Sequence, residues 1–224
     1  MSDLSDLMTR EETLHDDLLD YLRNGPLGTM IHHPLMISLT YMENHCGLVN
    51  MQYSHKKAAL QQAVADGNYM RAIGLHERPY RVNAMMEYID DHDFENHPDY
   101  WEAVSFVWTD SENIFQNQKL WERIWKSDAP NRNKVMTPED RDTFALHLRD
   151  SFTVYRGVQI GGTDLGMSWT LSTEKAGWFA NRWKQNGYIL ETEVSKSDVL
   201  AFFDTRGEKE IVIFPDKLTE VSKY

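Results

Sequence analysis

The chain has 224 residues, of which 41% are hydrophobic and 26% are charged, close to the proportions of globular proteins. Its longest apolar runs, such as residues 211–214, are far shorter than the roughly 18 residues of a membrane-spanning helix. The acidic segment 1–6 also differs from the basic start of a signal peptide. Its single cysteine, Cys46, allows no disulfide within the chain. We therefore expect a cytoplasmic protein without a membrane partner.

The negative charge of the chain is concentrated in its first part. Of the 23 basic and 35 acidic residues, nine and ten lie within residues 151–224, which leaves residues 1–150 with a net charge of −11. An acidic surface repels phosphate backbones, so non-specific binding of nucleic acid is disfavoured there. The nearly neutral C-terminal part remains open to either kind of substrate.

Residues 1–135 are predicted to form a helical region. In residues 11–23, four leucines fall on one helical face, and Gly25 and Pro26 end the run. Helical periodicity returns over residues 56–70 with a break at 66–68, over 82–89, and over the Trp-rich segments 100–108 and 114–125.

Residues 136–224 are predicted to form a compact region rich in strands. A helix begins at Thr137 and Pro138, with an N-cap hydroxyl and a proline at the first helical position. Strands follow over residues 152–158, 167–172, 188–194, 199–203 and 210–214, with one helix over 174–183. Because a single helix interrupts the strands, we predict an α+β fold with a mixed or antiparallel sheet.

Three polar segments on these strands suggest a site. Arg156 stands near the end of the first strand, where its planar guanidinium suits a phosphate, and Gly157 beside it would let a ligand approach the backbone. Glu208 and Glu210 are two residues apart, as are Thr170 and Ser172, so an extended backbone presents each pair on one face. The alternative is an Arg in a surface ion pair and a solvated acidic turn.

Aromatic residues near these segments offer a wall for a flat ring such as nicotinamide. The candidates are Trp169, Trp178, Phe179 and Trp183. Aromatic residues at helical spacing belong to a hydrophobic core more often than to a cofactor wall, so both interpretations stay open.

The order of these motifs resembles the mono-ADP-ribosyltransferases of the arginine, serine, glutamate type with a Glu-x-Glu motif. The resemblance covers about residues 150–216. It implies that NAD is the substrate, with Arg156, Gly157, Thr170, Ser172, Trp169 and Phe179 as its binding residues and with Glu210, Glu208 and Arg156 as the catalytic group. Glu210 would stabilise the ribosyl cation and Glu208 would serve the acceptor. The family usually has Ser-Thr-Ser where this chain has Thr170, Leu171 and Ser172.

The resemblance further implies a glycosyl transfer of ADP-ribose to an intracellular macromolecule. A protein side chain such as arginine is the favoured acceptor, and RNA or DNA is the alternative. Small members of this kind resemble phage-borne modifiers acting in the host cytoplasm or intracellular toxins, for which the helical region would recognise the target, a partner or an inhibitor such as an antitoxin. Two other readings remain: an NAD glycohydrolase, or an inactive interaction module with an acidic helical surface. No metal is expected, since the histidines lack the helical spacing of a zinc site.

Overall fold

The computed structural model describes residues 11–26, 28–38, 41–182 and 186–224. The chain divides into two compact units, Met1–Phe94 and Glu95–Tyr224. The domain boundary predicted between residues 135 and 136 therefore falls inside the second unit. The Trp-rich helices before that position belong to the same unit as the strands after it.

The first unit combines helices with a small antiparallel sheet. The unit's helices and strands are α1 (Asp16–Leu19), β1 (Leu22–Gly25), β2 (Gly28–His33), β3 (Met36–Ser38), α2 (Gly47–Ala65), α3 (Tyr69–Leu75) and α4 (Arg81–His92). Strands β1, β2 and β3 pair in sequence order. Its core contains Leu14, Leu18, Ile31, Leu35, Met36, Cys46 and Tyr53.

The N-terminal region, predicted as mostly helical, also contains the three strands β1, β2 and β3, and the helix predicted over residues 11–23 is wrong in its extent. Within the predicted helix 11–23, only Asp16–Leu19 is helical, and Leu22 already belongs to a strand. Leu22 pairs with Ile31 across the sheet, so strand hydrogen bonds replace the last predicted helical turn. The break at residues 66–68 is confirmed, because Gly67 has a positive φ and Asn68 caps the next helix.

The helices of the second unit agree with the predicted pattern within a few residues. They are α5 (Tyr100–Asp110), α6 (Gln118–Trp125), α7 (Pro138–His147) and α8 (Thr173–Asn181). Helix α7 begins as predicted, with the Thr137 hydroxyl accepting a hydrogen bond from the Asp140 backbone N–H. In the described part of the chain, no helix combines the length and apolar character needed to cross a membrane.

The second unit is built on a six-stranded sheet. Its strands are β4 (Ser151–Val158), β5 (Ser168–Thr170), β6 (Tyr188–Ser195), β7 (Val199–Phe203), β8 (Glu210–Ile213) and β9 (Ser222–Lys223). They are arranged in the order β7, β8, β5, β4, β6, β9, and every pairing is antiparallel. The prediction of an α+β fold with an antiparallel sheet is confirmed at this level.

The two faces of this sheet have different roles. One face packs into the core, and Phe144 and Leu148 from the α7 region contact it. The residues of this core are Val154, Val158, Trp169, Leu190, Val194, Phe202, Ile211 and Ile213. On the opposite face, Tyr155, Thr170 and Glu210 lie side by side, because Tyr155 pairs with Thr170 and Thr170 with Glu210.

Candidate active site

The second unit encloses a cavity of about 440 Å³, a size common for sites that hold small molecules. Strands β4 and β5, the loop between them, helix α8, the turn before β8 and the segment after α5 all contribute to it. The lining residues are Ser111, Glu112, Ile114, Phe115, Gln118, Tyr155, Arg156, Gly157, Val158, Gln159, Gly162, Thr163, Gly166, Met167, Ser168, Trp169, Thr170, Trp178, Phe179, Arg182, Arg206, Glu208 and Glu210. The cavity thus brings together most of the residues predicted for the site.

Glu210 provides a buried carboxylate in the wall of this cavity. Its side chain is only 6% exposed at the first position of β8. The Ser168 hydroxyl donates to Glu210 Oε1 at 2.5 Å, and the indole N–H of Trp108 donates to the same oxygen at 3.1 Å. The carboxylate is therefore held by neighbours from β5 and α5.

The pKa of Glu210 is raised, and burial is the largest cause. Burial raises the pKa of its carboxyl group above the usual range, and the hydrogen bonds from Ser168 and Trp108 oppose this change. The nearby negative charge of Glu208 raises the pKa further, whereas the positive charge of Arg206 lowers it. A cation bound beside this carboxylate would favour its ionised form.

Glu208 reaches the same cavity by a turn rather than by strand alternation. The predicted extended backbone between the two glutamates is wrong, because Lys209 has a φ of 46° and β8 begins only at Glu210. Glu208 is partly buried and forms an ion pair with Arg206 at 2.9 Å. The turn is fixed by Asp204, whose carboxylate accepts from the backbone N–H of Lys209.

The two predicted hydroxyls have structural partners. The Thr170 hydroxyl donates to the backbone carbonyl of Glu208 at 2.6 Å, so it positions the glutamate turn. The Ser172 hydroxyl accepts from the backbone N–H of Lys175 and caps helix α8. Ser172 does not line the cavity, and this corrects its predicted role in orienting NAD.

Arg156 lies beneath the loop that joins β4 to β5. Its guanidinium donates to the backbone carbonyl of Ser168 at 2.6 Å and to that of Thr163 at 3.4 Å. A Cβ at Gly166 would lie 2.4 Å from one guanidinium nitrogen, so a larger residue there would require the Arg156 side chain to shift. Burial lowers the pKa of Arg156 to about 10, which leaves the group charged at neutral pH. Arg156 thus braces the loop while placing positive charge in the wall of the cavity.

Gly157 has a structural reason to be glycine. A Cβ at this position would lie 2.0 Å from the backbone oxygen of Ala176 and 2.6 Å from the backbone nitrogen of Ala180. Helix α8 therefore takes the close approach to the β4 backbone that the sequence analysis assigned to a ligand. Gly157 permits the packing of this helix against the sheet.

The predicted aromatic wall is only partly present. Trp169 lines the cavity but is almost fully buried in the core, and its indole N–H donates to the backbone carbonyl of Gly166. Phe179 and Trp178 do line the cavity, and their rings contact each other edge to face. Trp178 remains 53% exposed, with the guanidinium of Arg182 5.2 Å from its ring centre. Trp183 lies outside the described residues.

Three contributors to this site were not assigned a role from the sequence. Trp108 is 102 positions from Glu210 along the chain, and no local pattern distinguishes it from the other tryptophans of its helical region. Arg182 forms an ion pair with Glu112 at 3.4 Å, and both residues line the cavity. Ser168 carried a detectable signal, because it alternates with Thr170 on one strand face.

No group of three or more potential metal ligands was found among the described residues. Comparisons with models of known protein families, with curated proteins and with solved structures gave no significant match.

Proposed function

We propose that this protein is an NAD-dependent mono-ADP-ribosyltransferase and that the cavity of the second unit is its active site. The main support is the hydrogen bond from Ser168 to Glu210. It joins residues 168–172, which carry several hydroxyl side chains, to the Glu-x-Glu segment 208–210. It places a buried carboxylate in a cavity that Arg156 also lines. The family resemblance requires these three segments to meet, although they are separated in sequence.

In the proposed reaction, the bond between the nicotinamide nitrogen and ribose C1′ of NAD breaks. Nicotinamide leaves with the bonding electron pair as a neutral molecule, and positive charge develops on C1′ and the ring oxygen. The Glu210 carboxylate stabilises this charge by electrostatic attraction, which is strong in a site from which water is excluded. An acceptor nucleophile then forms a bond to C1′.

Glu208 is the proposed base for the acceptor. A nucleophilic N–H or O–H must lose its proton as the new bond to C1′ forms, and a partly buried carboxylate in the same cavity can accept it. The hydrogen bond from Thr170 to the Glu208 backbone carbonyl fixes the backbone from which this side chain extends. An arginine side chain of a protein remains the favoured acceptor, with nucleic acid as the alternative.

Two arginines are proposed to bind the pyrophosphate of NAD. Arg156 has further N–H groups beyond the two that donate to backbone carbonyls. Arg182 faces the same cavity, and a pyrophosphate would compete with Glu112 for its guanidinium. Phe179 and the exposed ring of Trp178 offer flat surfaces to a nicotinamide or adenine ring.

The direct test is incubation of the purified protein with NAD labelled in the adenine moiety, together with a cell lysate. We expect labelled protein and an equal amount of released nicotinamide. Glu210→Gln keeps the size of the side chain but removes its charge, so both products should fall by at least about 100-fold, as for other lost electrostatic contributions to a transition state. Glu193→Gln, an exposed change on β6, is the matched control.

The remaining outcomes distinguish the other readings. Nicotinamide release at the full rate without lysate would identify a glycohydrolase. Label in the RNA or DNA fraction would replace protein as the acceptor. Absence of both NAD binding and nicotinamide release would reject the proposal in favour of an interaction module.

A further inference from the structure

The indole of Trp108 contacts Glu210 from outside the sheet that carries the proposed site. Trp108 lies on α5, is 1% exposed, and donates its N–H to Glu210 Oε1 at 3.1 Å. The Ser168 hydroxyl donates to the same oxygen. Both side-chain hydrogen bonds that the described residues give to this carboxylate thus end on Oε1, and Oε2 is the oxygen left for a substrate.

The orientation of this indole is fixed by other buried tryptophans. The rings of Trp121 and Trp125 lie edge to face with Trp108, at centre distances of 4.9 and 5.5 Å. Trp125 also packs against Trp101, and the guanidinium of Arg132 lies over the rings of both. We call these four residues the tryptophan cluster: Trp101, Trp108, Trp121 and Trp125. In such a dense aromatic environment, an indole has little freedom to rotate.

On the basis of the proposed function, we infer that Trp108 is a positioning residue for the transfer reaction. Its N–H and the Ser168 hydroxyl hold Oε1 of Glu210, so that Oε2 faces the ribose of bound NAD. Residues 95–135 then supply part of the catalytic machinery. This differs from the target-recognition role that the sequence analysis gave to the helical region.

The hydrogen bond from Trp108 also lowers the pKa of Glu210. The groups that face this carboxylate are Trp108 from α5, Ser168 from β5, Glu208 and Arg206 from the turn before β8, and Arg156 from β4. A donor to a carboxylate stabilises the ionised form, so removing the indole N–H raises the pKa of Glu210. Because the reaction needs the ionised form, the acid limb of its pH profile then moves to higher pH.

The tryptophan cluster contains its own matched control. The indole nitrogens of Trp121 and Trp125 are buried and have no hydrogen-bond partner in the described structure. Replacing Trp108 or Trp121 by Phe removes the same atoms from the same cluster, but only Trp108→Phe removes a hydrogen bond to Glu210. Benzothienyl-alanine has a sulfur atom in place of the indole N–H and almost the same volume as tryptophan. Placed at position 108 or 121, it removes only the donor, and it is used if either Phe variant fails to fold.

The experiment measures kcat, KM and the pH profile of NAD cleavage for both pairs of full-length variants. At position 108 we expect kcat to fall about tenfold, the size expected for one hydrogen bond to a charged group, with the acid limb shifted to higher pH. At position 121, kcat and the acid limb of the pH profile should both stay near their wild-type values. Equal effects at the two positions, or an unshifted acid limb at position 108, would overturn the inference.

A second readout separates this inference from the proposed function. The carboxyl carbon of Glu210 can be followed by ¹³C NMR during an acid titration, with its signal assigned from Glu210→Gln. The midpoint should rise for the benzothienyl variant at position 108 and not for that at position 121. This comparison remains decisive if the wild-type protein does not cleave NAD, whereas an unchanged midpoint at position 108 would refute the contact itself.

Discussion

The hydroxyl of Thr170 donates to the backbone carbonyl of Glu208 at 2.6 Å and also accepts from the backbone N–H of Ser172. One buried side chain therefore joins the end of β5 to the turn that carries both glutamates. This arrangement links the geometry of the site to the pairing of β5 with β8.

Replacing Thr170 by Val keeps the shape of the side chain but removes both hydrogen bonds. We expect a loss of about 1–3 kcal/mol in the free energy of unfolding, because backbone groups are left unsatisfied in a buried position. Urea denaturation measures this loss. Thr170→Ser should recover most of it, and Thr153→Val, on an exposed position of β4, should have little effect. Equal stability of the Val and Ser variants would show that the hydroxyl is unimportant.

Glu210→Gln is expected to stabilise the protein at neutral pH while abolishing activity. Because burial raises the folded-state pKa of Glu210, the folded protein holds a proton that the unfolded chain has released. Stability therefore falls as the pH rises from the unfolded to the folded pKa, by about 1.4 kcal/mol for each unit between them. In urea denaturation measured from pH 4 upwards, Glu210→Gln should lack this decrease in the free energy of unfolding, whereas Glu193→Gln should show it.

Gly157→Ala should strongly destabilise the second unit. The added Cβ would meet the helix backbone at 2.0 Å, and neither a strand nor a helix backbone can move away cheaply, so we expect a loss of roughly 3 kcal/mol or more. Gly177→Ala on the same helix is the control, because its Cβ would meet only Ile189 at 3.8 Å. That change should stabilise the helix by about 0.5–1 kcal/mol. In thermal unfolding, we expect the Tm to fall for Gly157→Ala and to rise for Gly177→Ala, each relative to wild type.

A fragment of residues 95–224 should fold, whereas a fragment of residues 136–224 should not. The shorter fragment follows the boundary suggested by the sequence, but it lacks the tryptophan cluster, whose four indoles are all at most 1% exposed. Burial of each such side chain contributes on the order of 2–3 kcal/mol. Circular dichroism and cooperative thermal unfolding distinguish the fragments, and a cooperatively folded 136–224 fragment would contradict the division of the chain described above.

The strands and helices of residues 136–224 were largely predictable because their signals are local. Residues 199–203 form a short apolar run with β-branched and aromatic side chains, and the predicted strand agrees with the observed one. The Thr137 cap likewise needs only its own first turn. Strand β1 was missed because Leu22 continues the helical spacing of the leucines at 14, 18 and 19, and only pairing between β1 and β2 decides against a helix there.

The candidate site was predictable in its residue types but not in its contacts. Glu210, Glu208 and Arg156 do line one cavity. Their partners depend on the fold: Ser172 caps a helix, Gly157 admits one, and the left-handed backbone at Lys209 breaks the expected alternation. None of these effects has a signature in the spacing of the polar residues.

The strands of the second unit and the polar side chains near their ends can be predicted from the amino-acid sequence, since strand composition and helix caps are local signals. That the Trp-rich helices belong with those strands, and that Trp108 donates to Glu210, follows from the fold alone. Trp108 and Glu210 are 102 positions apart, so their contact depends on how helices pack against the sheet, and no local pattern encodes that packing.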